Sequence, residues 1–418
     1  MTEEVAAEVA EELAAASVYE QILDHANRAD PYPLYGELRR TPVARQPDGS
    51  YVVSGYREIV ALLHDPRVSS DVRNIPEIAA ERESGTALPS SFIRLDPPDH
   101  DRIRSMMMRH FGPPHSPGRV DGMAPRITRI VTDLIDGFAG KTRVDIVEDF
   151  AYPMPVTVIC ELLGVPREDE PRFHRWSQAI IETVDPTTGT IGERERRNME
   201  VRTELGTYMK ELVDAHRRRP GDDLLSAIVT DPAIDLRLDE LLSAASTLLV
   251  AGHETTVNLV ANGVLTLLRN PRVLDRLRHE PDLVVGTVEE LLRFEPPVQM
   301  LSLRRSALAD IDIAGTTIPK GSVISLVLAA GSRDPARFPD ADRFDPDRQD
   351  NQHLGFGSGI HYCFGAPLAR LETQLALGEL ARRLVNPRLA GDPPPYRPNP
   401  GLRGPRHLYV EFDGLLPA

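Results

Sequence analysis

The spacing of apolar residues along the chain predicts a mainly helical protein. In several stretches apolar positions recur every three or four residues, as they do on one face of an α-helix. Helices are predicted at residues 31–40, 56–64, 100–111, 126–137, 193–217 and 367–384. Short strands are predicted at residues 51–54, 311–318, with a turn at Ala314-Gly315, and 323–328, because Gly or Pro bounds each run. We therefore expect a mainly α fold with small accessory β-sheets.

The longest apolar stretch predicts a buried central helix. Between Leu241 and Leu268 the only formally charged residue is Glu254, so a helix here must be buried nearly all round. A membrane span is the alternative, but the polar residues between 253 and 258 leave two pieces, each shorter than the roughly 18 residues that a bilayer crossing needs. A helix from Leu238 to Arg269 would be about 48 Å long, which is enough to cross a soluble domain.

Gly252, Glu254, Thr255 and Thr256 form a polar break in this helix. Burying an unpaired carboxylate costs several kcal/mol, so Glu254 belongs either to a structural ion pair or water contact, or to a functional site. Gly252 leaves space beside the backbone, and Thr hydroxyls compete for the carbonyls one turn back, which opens a groove for a small molecule and water. A carboxylate beside a hydroxyl is suited to relaying protons.

Composition narrows the class of protein. Hydrophobic residues make up 41% and charged residues 27%, as in soluble globular proteins. A net charge of −15 without a dense Lys/Arg run argues against nucleic acid or an anionic membrane as a partner. Two cysteines, Cys160 and Cys363, suit a reducing cytosol, and Cys160 is expected to pack as a small hydrophobe. We expect an acidic tail at 1–17, helical or frayed and unlike a signal peptide, before a single domain at 18–418.

A glycine-rich loop surrounds the second cysteine. Residues 353–367 place four glycines around Cys363, immediately before a predicted helix. Glycine permits tight turns and close approach to a flat ligand, and the free N–H groups of the helix end favour a thiolate. A zinc site needs more ligands than His361 and Cys363 supply, whereas a cysteine hydrolase, needing a base and an oxyanion hole, stays open. A haem iron needs only one protein sulfur.

The loop from Phe356 to Gly365, with His361 and Cys363 between them, closely resembles the haem-binding loop of the cytochrome P-450 family. Three further segments resemble the family's motifs in the same order and extend the likeness over most of the chain. They are Asp96–Arg104, similar to the start of a haem-propionate helix; Ala251–Thr255, similar to the oxygen-activation segment; and Glu290–Arg293, similar to the Glu-x-x-Arg pair.

The resemblance implies a role for each matching residue. Cys363 would be the axial ligand of the iron of haem b, with Phe356 and Gly365 beside the haem. Glu254 and Thr255 would deliver protons, and Arg343 would join Glu290 and Arg293 in a structural lock. The propionates would be neutralised by His100, Arg104, Arg305 and His361. The distal walls, formed in part by residues 72–92 and 180–191, would include Ala245, Leu248, Leu249, Ala251, Val298 and Leu301.

The resemblance also implies a function. It is that of a cytoplasmic haem-thiolate monooxygenase, fed with two electrons by a separate ferredoxin and ferredoxin reductase. Such an enzyme uses O2 to hydroxylate, epoxidise or dealkylate a small hydrophobic substrate, with secondary metabolism as a candidate setting. The acid and alcohol of the central helix differ from the Arg-Pro pair of the peroxide-using branch. The alternatives are a haem-thiolate isomerase, dehydratase or nitric oxide reductase, and a haem-binding sensor without turnover.

Overall fold

Helices make up most of the computed structural model, which describes residues 18–75, 91–112, 117–183, 185, 187–301 and 305–418. The predicted tail at 1–17 and most of the predicted wall segment at 72–92 lie outside these residues. Residues 18–23 are helical. The α-helices that follow are α1 (Tyr32–Leu38), α2 (Tyr56–His64), α3 (Asp99–Phe111), α4 (Pro117–Gly122), α5 (Ala124–Asp136), α6 (Pro153–Leu163), α7 (Glu170–Thr183), α8 (Ile191–Arg218), α9 (Leu224–Thr230), α10 (Leu238–Arg269), α11 (Pro271–His279), α12 (Leu283–Phe294), α13 (Leu328–Ser332) and α14 (Ala366–Arg383).

The strands are short and form small sheets at the edges of the helical body. They are β1 (Val43–Arg45), β2 (Tyr51–Val53), β3 (Val68–Ser69), β4 (Arg143–Asp145), β5 (Arg305–Ala307), β6 (Ile311–Ile313), β7 (Thr316–Ile318), β8 (Val323–Leu326), β9 (Leu384–Val385), β10 (Arg388–Leu389), β11 (Tyr409–Glu411) and β12 (Gly414–Leu415). One sheet has five strands in the order β1-β2-β8-β5-β3, and β2 and β8 are its parallel pair. A second has the order β10-β11-β4, and two antiparallel pairs, β6-β7 and β9-β12, complete the set.

The central helix α10 has the predicted bounds and is buried along most of its length. Two glycines let neighbouring helices approach it closely. A Cβ atom on Gly252 would lie 2.8 Å from Ile159 Cδ1 of α6, and one on Gly263 would lie 2.8 Å from Leu377 Cδ1 of α14. A side chain on Gly252 would therefore collide with Ile159, and both residues line a cavity, so the space beside Gly252 is shared between Ile159 and that cavity.

The other predicted helices are confirmed to within two residues at each end. The turn at Ala314-Gly315 is also confirmed, with φ values of 48° and 76°. The strand predicted at 323–328 is shorter, because pairing between β2 and β8 ends at Val53 and Leu326, and Leu328 begins α13. Within the described part of the chain, no helix combines the length and apolar character that crossing a bilayer requires.

A fully buried ion pair on α12 is hydrogen-bonded to the segment that precedes the cysteine loop. Arg293 Nη2 lies 2.7 Å from Glu290 Oε1, and Arg293 Nη1 donates to the carbonyls of Ser332 at 3.1 Å and Ala341 at 2.7 Å. The second arginine on Glu290 is Arg348, whose Nε lies 3.3 Å from Oε2. The two arginines thus tie α12 to the connection between α13 and α14.

The predicted role of Arg343 in this lock is wrong for its side chain. The Arg343 carbonyl turns inward and accepts a hydrogen bond from Arg293 Nη2 at 3.0 Å. Its guanidinium consequently projects towards solvent, where it pairs with Asp345 at 3.6 Å and is 68% exposed. Arg343 and Arg348 each follow an aspartate in the sequence, so the pattern alone could not separate them.

Candidate functional site

The glycine-rich loop folds back on itself and presents Cys363 beside the start of α14. The Cys363 amide donates to the Phe356 carbonyl at 2.9 Å. Gly357 and Gly359 have φ values of 68° and 69°, in the left-handed region that favours glycine. At Gly359 a Cβ atom would also lie 2.2 Å from the Leu63 carbonyl oxygen. The turn and the contact with α2 therefore require glycine at this position.

The electrostatic surroundings of Cys363 differ from the sequence expectation. Burial raises the pKa of the Cys363 thiol, while the amides of Gly365 and Ala366 and the charges of Arg104 and Arg370 lower it, and the net effect is a raised pKa. The helix end acts in the predicted direction, but desolvation is the larger effect. A metal cation bonded to the sulfur would shift the balance to the thiolate.

A cavity of about 310 Å³ lies between the Cys363 loop and the central helix. Its walls are mainly apolar and include Cys363 itself. The predicted site residues that line it are Arg104, Leu248, Ala251, Thr255, Val298, Leu301, Arg305, Phe356, His361, Cys363 and Gly365. A Cβ atom on Gly365 would meet no atom within 4 Å. The loop thus leaves open space immediately beside the sulfur.

Ala245 and Leu249, which were predicted to be distal walls, line neither this cavity nor its neighbour. Successive residues of a helix are turned by about 100°, so Leu248, Ala251 and Thr255 share one face. Ala245 and Leu249 are turned about 60° and 100° from Leu248, on the side of α10 away from Ala251, and both are buried in the main core. The prediction thus assigned too many positions around α10 to the cavity wall.

Four basic side chains predicted to meet the propionates gather at one edge of the cavity. The rings of His100 and His361 have centroids 4.4 Å apart, and Arg104 donates to the Tyr362 carbonyl at 2.6 Å. Burial, followed by the charges of Arg305, His100 and Arg104, lowers the pKa of His361 to about 3. His100 is buried behind His361 and does not line the cavity.

This cluster has the chemistry to receive an anion. Among the described residues, both ring nitrogens of His361 and Nε2 of His100 are buried without a hydrogen-bond partner. Buried polar nitrogens without partners are costly, and the arginines beside them repel a proton on His361. Two carboxylates at this edge would accept hydrogen bonds and offset the positive charge. Together with Cys363 and the open space at Gly365, the cluster fits a haem b with its propionates at this edge.

Glu254 and Thr255 of the central helix face the same region. Glu254 is buried and forms an ion pair with Arg397. The Thr255 hydroxyl donates to the Ala251 carbonyl at 3.0 Å, as expected for a Thr that bonds one turn back. Arg397 was missed in the sequence, where it stands in a proline-rich segment with no signal that links it to Glu254.

A second cavity, of about 340 Å³, adjoins the first. Glu254 lines it, and Thr255, Ala251 and Arg305 line both cavities. Ile180 and Ile181 of the predicted wall segment at 180–191 also line it. The two cavities together form a distal chamber that reaches from Cys363 to α7 and α8.

A mainly helical body with one thiol-bearing loop beneath an apolar chamber defines the haem-thiolate class of proteins. The cytochrome P450 family model matches residues 47–394. The chain is 42% identical to cytochrome P450 monooxygenase PikC of Streptomyces venezuelae over 92% of this chain and 91% of PikC. It is 37% identical to 6-deoxyerythronolide B hydroxylase of Saccharopolyspora erythraea, over 92% of this chain and 96% of that protein.

Solved structures show the same relationship. The ligand-free crystal structure of Mycobacterium smegmatis CYP164A2 superimposes with a TM-score of 0.86 at 39% identity, covering 95% of this chain and all of that one. The chain therefore belongs to the cytochrome P450 family. It is a monooxygenase whose cofactor is haem b, and it acts on an organic substrate with O2.

Proposed function

We propose that this monooxygenase holds haem b through Cys363, draws electrons from a separate ferredoxin, and hydroxylates, epoxidises or dealkylates a small hydrophobic substrate of secondary metabolism. The observation that carries the proposal is the position of the Cys363 sulfur. It lies in the floor of an apolar cavity, with a cluster of basic residues at one edge and Thr255 in the opposite wall, next to Glu254 of the adjoining cavity.

The chain's own residues hold the cofactor in this proposal. Cys363 supplies the iron ligand, Arg104 and Arg305 neutralise the propionates, and the His361 ring donates a hydrogen bond to them, with His100 supporting His361 from behind. When bound, haem b supplies the redox chemistry that activates O2, with the thiolate favouring O–O cleavage. The apolar walls at Leu248, Val298 and Leu301 exclude water and hold the substrate.

Glu254 and Thr255 would move the protons that oxygen activation consumes. Thr255 lines both cavities, so its hydroxyl can exchange its bond to the Ala251 carbonyl for one to water in the chamber. Glu254 is adjacent in sequence and lines the second cavity. A carboxylate beside a hydroxyl provides a relay in which Glu254 would take a proton from water in the second cavity and pass it to the Thr255 hydroxyl, which would hand on its own proton.

The proposed electron donor would dock on the outer face of the Cys363 loop. Ile360 and Tyr362 stand just before Cys363 and are 48% and 39% exposed, so two large apolar side chains lie together at the surface here. Arg370 and Arg104 both contact Tyr362, so two arginines lie beside this apolar patch. An acidic ferredoxin, reduced by its own reductase, has the charge to bind there.

The proposed substrate class rests on the chamber and on the relatives. The walls are mainly apolar, and relatives include a mycinamicin IV hydroxylase/epoxidase of Micromonospora griseorubida, 39% identical over 90% of this chain and 94% of that protein. The hydroxylase and epoxidase activities in this name are those of the relative. For this chain they support oxygen insertion into a small hydrophobic product of secondary metabolism.

Incorporation of labelled oxygen tests the proposal directly. Library compounds that change the iron spin state would be incubated with the holoenzyme, a ferredoxin, its reductase and ¹⁸O2. We expect one ¹⁸O atom in the product, and no product without ferredoxin. Turnover that proceeds without O2, as an isomerase or dehydratase would show, contradicts the proposal. Binding without any turnover contradicts it as well, because it indicates a sensor.

A further inference from the structure

The end of the distal chamber that is formed by α8 has polar groups without partners. Asn198 lines the second cavity, and only 6% of its surface is exposed. Among the described residues, its Oδ1 has no hydrogen-bond partner, and the same is true of the buried Nε of Arg94. Arg94 belongs to a short 3-10 helix, Phe92–Arg94, and also lines this cavity.

The orientation of the Asn198 amide is fixed by its neighbour Thr183. The Thr183 hydroxyl donates its proton to the Ile180 carbonyl at 2.6 Å. Its oxygen can therefore only accept from Asn198, whose Nδ2 lies 2.9 Å away. The amide NH2 group is thus used, and Oδ1 is left as an acceptor.

The two unpartnered groups belong to the same end of the chamber. Arg94 Nη1 donates to Glu195 Oε2 at 3.0 Å, and Glu195 stands three residues before Asn198 on α8. Residues three apart lie on one face of a helix, so the Arg94 side chain crosses α8 within one turn of Asn198. Arg94 already has a carboxylate partner in Glu195, so its charge does not call for an anion.

Resting on the proposed function, we infer that Asn198 and Arg94 form a subsite for an uncharged hydroxyl group of the substrate, at the end of the chamber formed by α8. A hydroxyl donates to Asn198 Oδ1 and accepts from Arg94 Nε, so it satisfies both groups at once. A carboxylate offers only hydrogen-bond acceptors, so its oxygens would be repelled by the Asn198 Oδ1 atom. An ammonium offers only donors and would face the guanidinium. Asn198 is therefore a specificity-determining residue.

Three probes with the same alkyl chain test this in the wild-type holoenzyme, without any variant. They are 1-dodecanol, its methyl ether and dodecanoate, and binding is measured by calorimetry and by the change in iron spin state. The ether keeps the acceptor and lacks the donor. We expect the alcohol to bind about five- to tenfold more tightly than the ether, as one net hydrogen bond gives, and more tightly than dodecanoate. Equal binding of alcohol and ether, or tighter binding of dodecanoate, overturns the inference.

Asn198→Leu tests the residue, and Ser246→Ala is the matched control. Ser246 lines the same cavity, but its hydroxyl already donates to the Leu242 carbonyl at 2.7 Å. Asn198→Leu should weaken the alcohol about fivefold and leave the ether unchanged, whereas Ser246→Ala should change neither. Equal weakening of both probes by Asn198→Leu contradicts the inference. A wild type with a haem-thiolate spectrum but no preference for the alcohol refutes this subsite alone, whereas loss of that spectrum refutes the proposed function with it.

Discussion

Glu254 on the central helix and Arg397 near the C-terminal end form a buried ion pair that spans 143 positions of sequence. The sequence offered two interpretations of Glu254, a structural ion pair and a proton donor. The structure joins them, because the paired carboxylate also lines the distal chamber next to Thr255. Two predictions separate the structural and the chemical contribution of this residue.

The structural contribution is measured by removing Arg397. Arg397→Met leaves the Glu254 carboxylate buried without its counter-charge, and we expect the free energy of unfolding to fall by about 2–3 kcal/mol. The double variant with Glu254→Gln removes the stranded charge and should recover at least half of this loss. Urea denaturation of the single and double variants measures both values. A double variant that is less stable than Arg397→Met would show that the pair is not coupled.

The chemical contribution is measured by Glu254→Gln alone. We expect product formation to slow by about 10²-fold, the usual size of a lost general acid, with substrate affinity unchanged. Glu240→Gln is the matched control, because Glu240 is a buried, arginine-paired glutamate of the same helix that does not line the chamber. Equal turnover by both variants would remove Glu254 from the proton path.

The corrected lock around Glu290 gives a third prediction. Arg293→Met removes the closer of the two arginines from a fully buried carboxylate and leaves three carbonyls without their donor. We expect a loss of about 3–5 kcal/mol in unfolding free energy, together with poor retention of haem. Arg343→Met changes an exposed side chain, and we expect a change within about 0.5 kcal/mol. Chemical denaturation followed by haem absorbance compares the two. Similar losses of unfolding free energy in both variants would show that the Arg343 side chain does stabilise the Glu290–Arg293 ion pair.

The pH dependence of stability tests the ion pair of Glu289. Burial alone would raise the pKa of Glu289, but hydrogen bonds from Arg370 at 2.6 Å and from His353 at 3.2 Å outweigh it and lower the pKa to about 2. Because the folded-state pKa lies below the unfolded-state value, the stabilisation is complete above about pH 4.5 and is lost as the pH falls towards 2.

The side chain of Glu289 is partly exposed, so we expect about 1–2 kcal/mol of stabilisation after screening by solvent. Urea unfolding of wild type and Glu289→Gln at pH 7 and pH 3.5 should show a difference that is smaller at the lower pH. A difference that is constant over this range would mean that Glu289 does not titrate as the structure implies.

The sequence predicted elements whose signals are local. The bounds of α10 followed from an apolar run with one charge, and the loop around Cys363 followed from glycines whose turns require them. It could not predict contacts between distant segments. Arg397 pairs with Glu254 only because the C-terminal segment returns to the central helix, and Arg348 replaces Arg343 because one backbone carbonyl turns inward.

The position of side chains around a buried helix was predicted only in part. Leu248 and Ala251 line the chamber as expected, whereas Ala245 and Leu249 face the core. An all-apolar helix has no polar face to show which side meets a cavity, so the sequence could not separate these pairs. The raised pKa of the Cys363 thiol could not be predicted either, because it results from burial of the sulfur, which depends on the whole fold.

The bond from the Cys363 sulfur to iron is the central claim, and one spectrum tests it. The reduced, carbon monoxide-bound wild-type protein should show the strongly red-shifted Soret band of a thiolate-ligated haem. In Cys363→Ser that band should be absent, with product formation lost. A Cys363→Ser protein that keeps the wild-type spectrum and activity, or a wild-type protein that stays colourless when supplied with haem, would contradict the claim.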